Sequence, residues 1–311
     1  MRLKTILPYL LLAIFLGGTL WAQEKTSDIS KREALQKLVA RADSGDAKAL
    51  YDLARLHDFG YDSIGVDSIR STALYLESAY RGYAPARNFI GFRYYKGEIV
   101  DKNIGSALYW IRLAAEDGDI TAAANMAYLL TELPDIPQDS IEAEKWLKIA
   151  AEAGVNEAQI KYSEIKKNEW DSLPPDSALK IGLNYYLDKA PILGTTLLKI
   201  AAKEANAQAM ALLGDAYSKG LGVPYDHHKS VDYFYRSALG GNPSAQFIIA
   251  ELLEFFPDQK LTFSDSTNSQ SSDEVYSAIY WYERAAESGV TDSEEAYRQL
   301  ITLPEQKSLI P

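Results

Sequence analysis

The sequence predicts an all-α solenoid: about six helix-hairpin repeats in a row, with a capping helix at each end. Three observations carry this. An alanine, a glycine three residues on and an alanine four residues later recur at Ala42/Gly45/Ala49, Ala79/Gly82/Ala86, Ala115/Gly118/Ala122, Ala151/Gly154/Ala158 and Ala238/Gly241/Ala245, with altered copies at Ala202/Ala205/Ala209 and Ala286/Gly289/Ser293. A helix that stops near a glycine, followed at once by another behind small side chains, is a joint between hairpins, and repetition at a fixed period marks stacked units. Between the joints, size recurs in register. Small residues fill Ala54, Gly91, Ala127, Ser163, Gly214 and Ala250 in the first helices, and large ones fill Leu74, Trp110, Trp146, Leu197, Tyr233 and Trp281 in the second, as interdigitating helix layers require. Finally, no segment of strand period is long enough to build a sheet.

Taken in order, residues 1–22 have a basic start (Arg2, Lys4), an apolar run from Ile6 to Leu16 and a small residue at Ala22, the layout of a secretory signal peptide cleaved after Ala22. Residues 23–31 are polar and read as a linker. A helix over Arg32–Ala42 caps the stack, and the repeats then run over residues 46–82, 83–118, 119–154, 155–205, 206–241 and 242–289. The fourth is long: Pro174–Pro175 breaks its first helix, and Asp176–Tyr186 reads as an additional turn or helix. The sixth carries an insertion over residues 257–274, rich in serine and aspartate, which cannot bury a core and reads as a mobile loop. A last helix over Ser293–Leu303 closes the solenoid of residues 32–303 before Pro304, and residues 304–311 are a tail.

The composition narrows the function. A formal net charge of -11, a pI near 4.9 and no lysine/arginine run argue against nucleic acid, whose binding requires a basic face. There is no cysteine, so an exported chain of this kind is held by packing alone. No Gly-x-Ser-x-Gly motif, phosphate loop or cysteine–histidine pair is present. His227–His228, read as loop residues, have the wrong spacing for a shared metal ion. His57 stands where Tyr94 and Tyr217 stand in other repeats and reads as packing. Neither a catalytic residue, a cofactor nor a metal is therefore expected.

The fifth repeat, with Leu213-Gly214, Tyr217, Gly220-Leu-Gly222-Val223, Tyr233-Phe234, Ala238 and Gly241, and the stretch Tyr280-Trp281-Tyr-Glu-Arg-Ala-Ala286 resemble the Sel-1-like repeat, a subclass of the tetratricopeptide superfamily. The resemblance covers nearly all of residues 31–303 and implies a right-handed superhelix whose first helices line a concave face. It also implies a non-catalytic scaffold or regulator that holds a protein or peptide partner, with exported bacterial members working in the cell envelope. Groove positions carried over to this chain are Lys48, Tyr51, Arg55, Asn88, Phe92, Tyr95, Tyr128, Asp215, Phe247 and Glu251, basic at the start of the stack and acidic at its end. The expected location is the periplasm, or else secretion or anchoring by an uncleaved N-terminal segment, the one route to a membrane. A second reading is a glycan-binding or polysaccharide-acting protein; Trp110, Trp146 and Trp281, which fall on the second helices, weigh against it.

Overall fold

The computed structural model describes residues 28–61, 64–132, 139–255 and 277–302. The signal peptide, the insertion at 257–274 and the tail at 304–311 lie outside the described residues. Among those described, fifteen helices follow one another: α1 Asp28–Asp43, α2 Ala47–Phe59, α3 Ser68–Tyr80, α4 Ala84–Lys96, α5 Ile104–Glu116, α6 Ile120–Glu132, α7 Ser140–Glu152, α8 Asn156–Asp171, α9 Pro175–Leu187, α10 Pro191–Lys203, α11 Ala207–Lys219, α12 His227–Leu239, α13 Pro243–Phe255, α14 Ala278–Glu287 and α15 Thr291–Thr302. The only β pairing among them is an isolated bridge, Tyr61 to Ile64. The first helix corrects the expected linker: it begins at Asp28, four residues before the point where the apolar spacing starts, because polar residues extend a helix once it has nucleated.

Four of the first helices, α2, α6, α11 and α13, are started by the same device. Asp46, Asp119, Asn206 and Asn242 accept hydrogen bonds from the backbone N–H three residues on, at 2.8 to 3.0 Å, satisfying a donor the helix leaves open. The joint before each, and before α4, is a left-handed turn. Gly82 has φ 92°; its N–H donates to Ala79 O, and Tyr83 N–H donates to Ser78 O, closing the carbonyls of α3.

The chain divides into two compact units, residues 1–150 and 151–311. In the first, each helix from α1 to α6 packs on the next, and α4 also meets α6. Its core holds Ala54, Tyr75, Ala79, Ala86, Ile90 and Trp110. A buried ion pair ties the hairpins together. Arg93 on α4 reaches Asp58 on α2 and donates to Thr72 Oγ1 on α3 at 2.8 Å, while Ser71 Oγ donates to Asp58 Oδ1 at 3.0 Å.

In the second unit the fourth repeat departs from the hairpin pattern. It has three helices: α8 and α9 both pack on α10. Pro175 is the first residue of α9, where its missing N–H costs nothing. The first-helix role opposite α10 falls to α9, which corrects Ser163 as the small residue of that repeat. A Cβ on Gly182 of α9 would lie 3.0 Å from Leu197 Cβ and 3.1 Å from Leu198 N. Equivalent approaches occur at Gly91, against Ala107 and Ile111, and at Gly214, against Phe234. The helix α8 is thus interpolated between regular hairpins. Beyond it α10 to α15 each pack on the next, around a core that includes Phe234, Ile249, Trp281, Tyr282 and Leu300.

Candidate functional site

The first helices of the first unit present their residues in rows. The ninth position of α2, α4 and α6 gives Arg55, Phe92 and Tyr128. Tyr128 is 36% exposed, and Arg55 and Phe92 are half-buried. Arg55 has no ion-pair partner among the described residues. Tyr95 packs edge-on to Phe92 at 6.4 Å and lies under the Lys102 ammonium at 5.7 Å. One turn earlier, at the fifth position, Asn88 on α4 accepts from Asn125 Nδ2 on α6 at 3.0 Å, so these two first helices are pinned side by side.

The fifth position is different. Tyr51 meets Tyr75 edge-on at 5.3 Å and Tyr83 at 5.1 Å. Burial pushes its hydroxyl up to about 12, against the opposing charge of Arg55. Phe247 in the second unit makes the corresponding contact with Tyr282 at 5.7 Å. Tyr75 and Tyr282 hold the same position of their second helices, so both rings serve the packing of their own repeat. Lys48 is exposed and pairs with Asp52 at 2.6 Å. Beside them, burial raises the Asp119 carboxyl although it caps α6 and accepts two backbone hydrogen bonds.

In the second unit the ninth position gives Asp215 and Glu251. Asp215 is engaged twice: Tyr186 OH donates to it at 2.8 Å, and Lys219 pairs with it at 2.7 Å. Glu251 is half-buried, one turn before Glu254, which accepts from Tyr282 OH at 2.7 Å.

Sequence reasoning missed Tyr83 and Asn125. Tyr83 stood in view as the one aromatic at a first-helix N-cap, where α2, α6, α11 and α13 have Asp or Asn; its side chain makes no cap hydrogen bond and packs on Tyr51 instead. The histidine pair is corrected as well. His227 and His228 are the first two residues of α12, behind its N-cap Asp226. His57 lines a cleft of about 470 Å³ with Leu35, Val39, Leu53, Ile64 and Leu74. Its Nδ1 is buried without a partner, and burial lowers its pKa. The cleft exists because both repeat columns shrink here. His57 replaces the tyrosine of Tyr94 and Tyr217, and Leu74 replaces the larger rings of Trp110 and Tyr233.

The Sel1 repeat profile matches residues 47–83, 84–119, 120–155, 207–242 and 272–290. The chain belongs to the Sel1 repeat family. The stretch the profile passes over between its third and fourth matches coincides with α8, α9 and α10, where the hairpin rhythm is broken. Among curated relatives, the Sel1-repeat-containing protein YjcO of Escherichia coli K12 is 30% identical over 167 residues, 53% of this chain and 65% of its own length. The chitin synthase regulator SKT5 of Saccharomyces cerevisiae is 30% identical over 130 residues, 40% of this chain and 19% of its own. The chain therefore spans less than two thirds of either relative. Two solved structures are similar to this chain at 25% sequence identity. A protective antigen of uropathogenic Escherichia coli displaying an SLR fold gives a TM-score of 0.40 over 87% of this chain and 60% of its own. A Sel1 repeat protein from Oxalobacter formigenes gives 0.38 over 83% and 94%. Sel1 repeat proteins are in general protein-interaction scaffolds, and their solenoids are typically non-catalytic.

Proposed function

We propose that this Sel1 repeat protein is a non-catalytic scaffold or regulator of the bacterial cell envelope, exported by its N-terminal segment, that holds a peptide or protein partner against the first helices. The observation that carries this is the ninth-position row Arg55, Phe92 and Tyr128. Neighbouring positions are consumed by packing or by capping, whereas this row offers a cation and two rings to solvent on helices fixed side by side. Aromatic and arginine anchors on a rigid backing are what interface energetics favour. A protein partner also suits the burial of Trp110, Trp146, Trp170 and Trp281, none more than 7% exposed, because a sugar would need such rings uncovered.

Cross-linked pull-down from envelope extracts with the full chain, beside an Arg55→Ala/Phe92→Ala/Tyr128→Ala variant of unchanged helicity, tests the row. A protein recovered by the first and lost with the second is the expected result; the same proteins in both would remove the row from the interface. Fractionation of cells, with N-terminal sequencing of the product, tests export: a mature chain starting at Gln23 in the periplasm is expected, and a chain retaining Met1 in the cytoplasm defeats the envelope reading.

A further inference from the structure

Where the second repeat meets the third, a cation on one second helix meets an acid on the next. Arg112, at the ninth position of α5, donates from Nε and Nη2 to the two carboxylate oxygens of Glu142, at the third position of α7, each at 2.9 Å. This fork on a carboxylate is the strong form of ion pair, and it bridges neighbouring repeats.

The same two positions where the fourth repeat meets the fifth are both lysine: Lys199 at the ninth position of α10 and Lys229 at the third of α12. The two converge on one ring, with their ammonium groups 5.9 and 5.4 Å from the centroid of Tyr217. Tyr217 is 8% exposed and stacks on Tyr233 at 5.6 Å and 9°. Arg236 lies 5.8 Å from the Tyr233 centroid. The charge around them is partly answered. Lys229 pairs with Asp226 at 3.0 Å, and Arg236 stands 3.9 Å from Asp232. Lys199 has no hydrogen-bond or ion-pair partner among the described residues. It is half-buried, and its pKa is lowered by burial first and by the Lys229 charge second.

A half-buried amine is stabilised by a counter-charge, and a like-charge pair at a repeat contact costs where the Arg112–Glu142 pair contributes. We propose that the notch formed by Lys199, Lys229 and the Tyr217–Tyr233 stack binds a carboxylate of an acidic peptide, which takes the place that the Glu142 carboxylate fills in the third repeat. The carboxylate meets the two ammonium groups at the Tyr217 ring, and the peptide runs past the half-buried Tyr233. The site is separate from the first-helix row, since its residues come from second helices and from the last turn of α11. The net charge of -11 does not forbid it, because charges beyond roughly 8 Å are screened at physiological salt.

Calorimetric titration of the full chain with a blocked tetraglutamate peptide tests this, with inorganic phosphate as the competing oxyanion. The variant Lys229→Glu rebuilds the Arg112–Glu142 type of pair and fills the notch from within; Lys199→Met keeps the side-chain stem and removes the charge. Binding to the wild-type chain, weakened about tenfold or more in both variants, together with a raised melting temperature for Lys229→Glu, is the expected result. Three outcomes overturn the proposal: no binding to the wild-type chain at millimolar peptide, unchanged affinity in Lys229→Glu, or displacement of the peptide by phosphate at concentrations below the peptide's own Kd. The Arg55→Ala/Phe92→Ala/Tyr128→Ala variant should bind the tetraglutamate peptide as the wild type does.

Discussion

Ala205 stands where the other joints carry glycine, and it holds φ at 57°. A left-handed residue with a Cβ costs roughly 1–2 kcal/mol, so Ala205→Gly should raise stability by about 1 kcal/mol, part of the gain being returned to the unfolded chain's freedom. Gly118 is the control. It has φ 88°, and a Cβ there would meet nothing within 4 Å, so Gly118→Ala should cost about 1 kcal/mol through conformation alone. Urea unfolding of both variants reads the two signs. Glu142 makes a second test, in pH. Its carboxyl is held below the usual range by the Arg112 guanidinium first, with Trp146 Nε1–H adding a hydrogen bond against the cost of burial. A depressed carboxyl adds stability that is full above its unfolded value of about 4.3 and lost as pH falls through the lower folded value. Between pH 5 and pH 3 the wild-type chain should therefore lose stability more steeply than Glu142→Gln; parallel curves would show that the pair contributes nothing. The joints and caps behind these tests were legible in sequence, since glycine, aspartate and asparagine act on backbone within three or four residues. The roles of the tyrosines were not. Tyr51 and Tyr128 look equivalent on a first helix, and only the rings of Tyr75 and Tyr83 around Tyr51 separate packing from surface.

At the scale of elements, the contact between α9 and α10 shows how the interpolated helix is accommodated. A Cβ on Gly194 would lie 2.5 Å from Tyr186 N and 2.7 Å from its Cα. Backbone, not a movable side chain, occupies that space. Overpacking of this kind costs about 1–3 kcal/mol, and because neither helix has a rotamer to change, Gly194→Ala should fall at the top of that range or above it. Gly214→Ala, whose Cβ would meet the Phe234 ring at 2.8 Å, should cost less, because a ring can turn. Thermal melts of the two variants decide the order; an equal loss would mean that α9 and α10 separate freely. The sequence showed proline at 174 and 175 and left a choice between a broken helix and a new one. The choice rests on what α9 packs against. Its pattern is the ordinary first-helix pattern one unit out of place, and Gly182 discloses its role only when it is set against Leu197 and Leu198 of α10.

At the scale of the whole molecule, a stack of hairpins transmits strain to neighbours only, so its stability is close to a sum of local terms. Hydrogen exchange on Gly194→Ala should therefore show lost protection in α8 to α11 and unchanged protection in α2 to α5; a uniform loss would mean that the two compact units unfold as one. The same locality explains how one family framework can carry different surfaces. The packing columns keep each hairpin on its neighbour, while the ninth position of the first helices varies freely, from Arg55, Phe92 and Tyr128 to Asp215 and Glu251. The sequence by itself determined the helical class, the period, the joints and the family, because each is written in short-range patterns of size and backbone freedom that recur down the chain. Only the tertiary structure decided which helix partners α10, which groove aromatics are spent on packing, and that Lys199 and Lys229 meet at the Tyr217 ring. Those facts depend on residues about thirty positions apart being brought against one ring, and nothing local in the chain records that meeting.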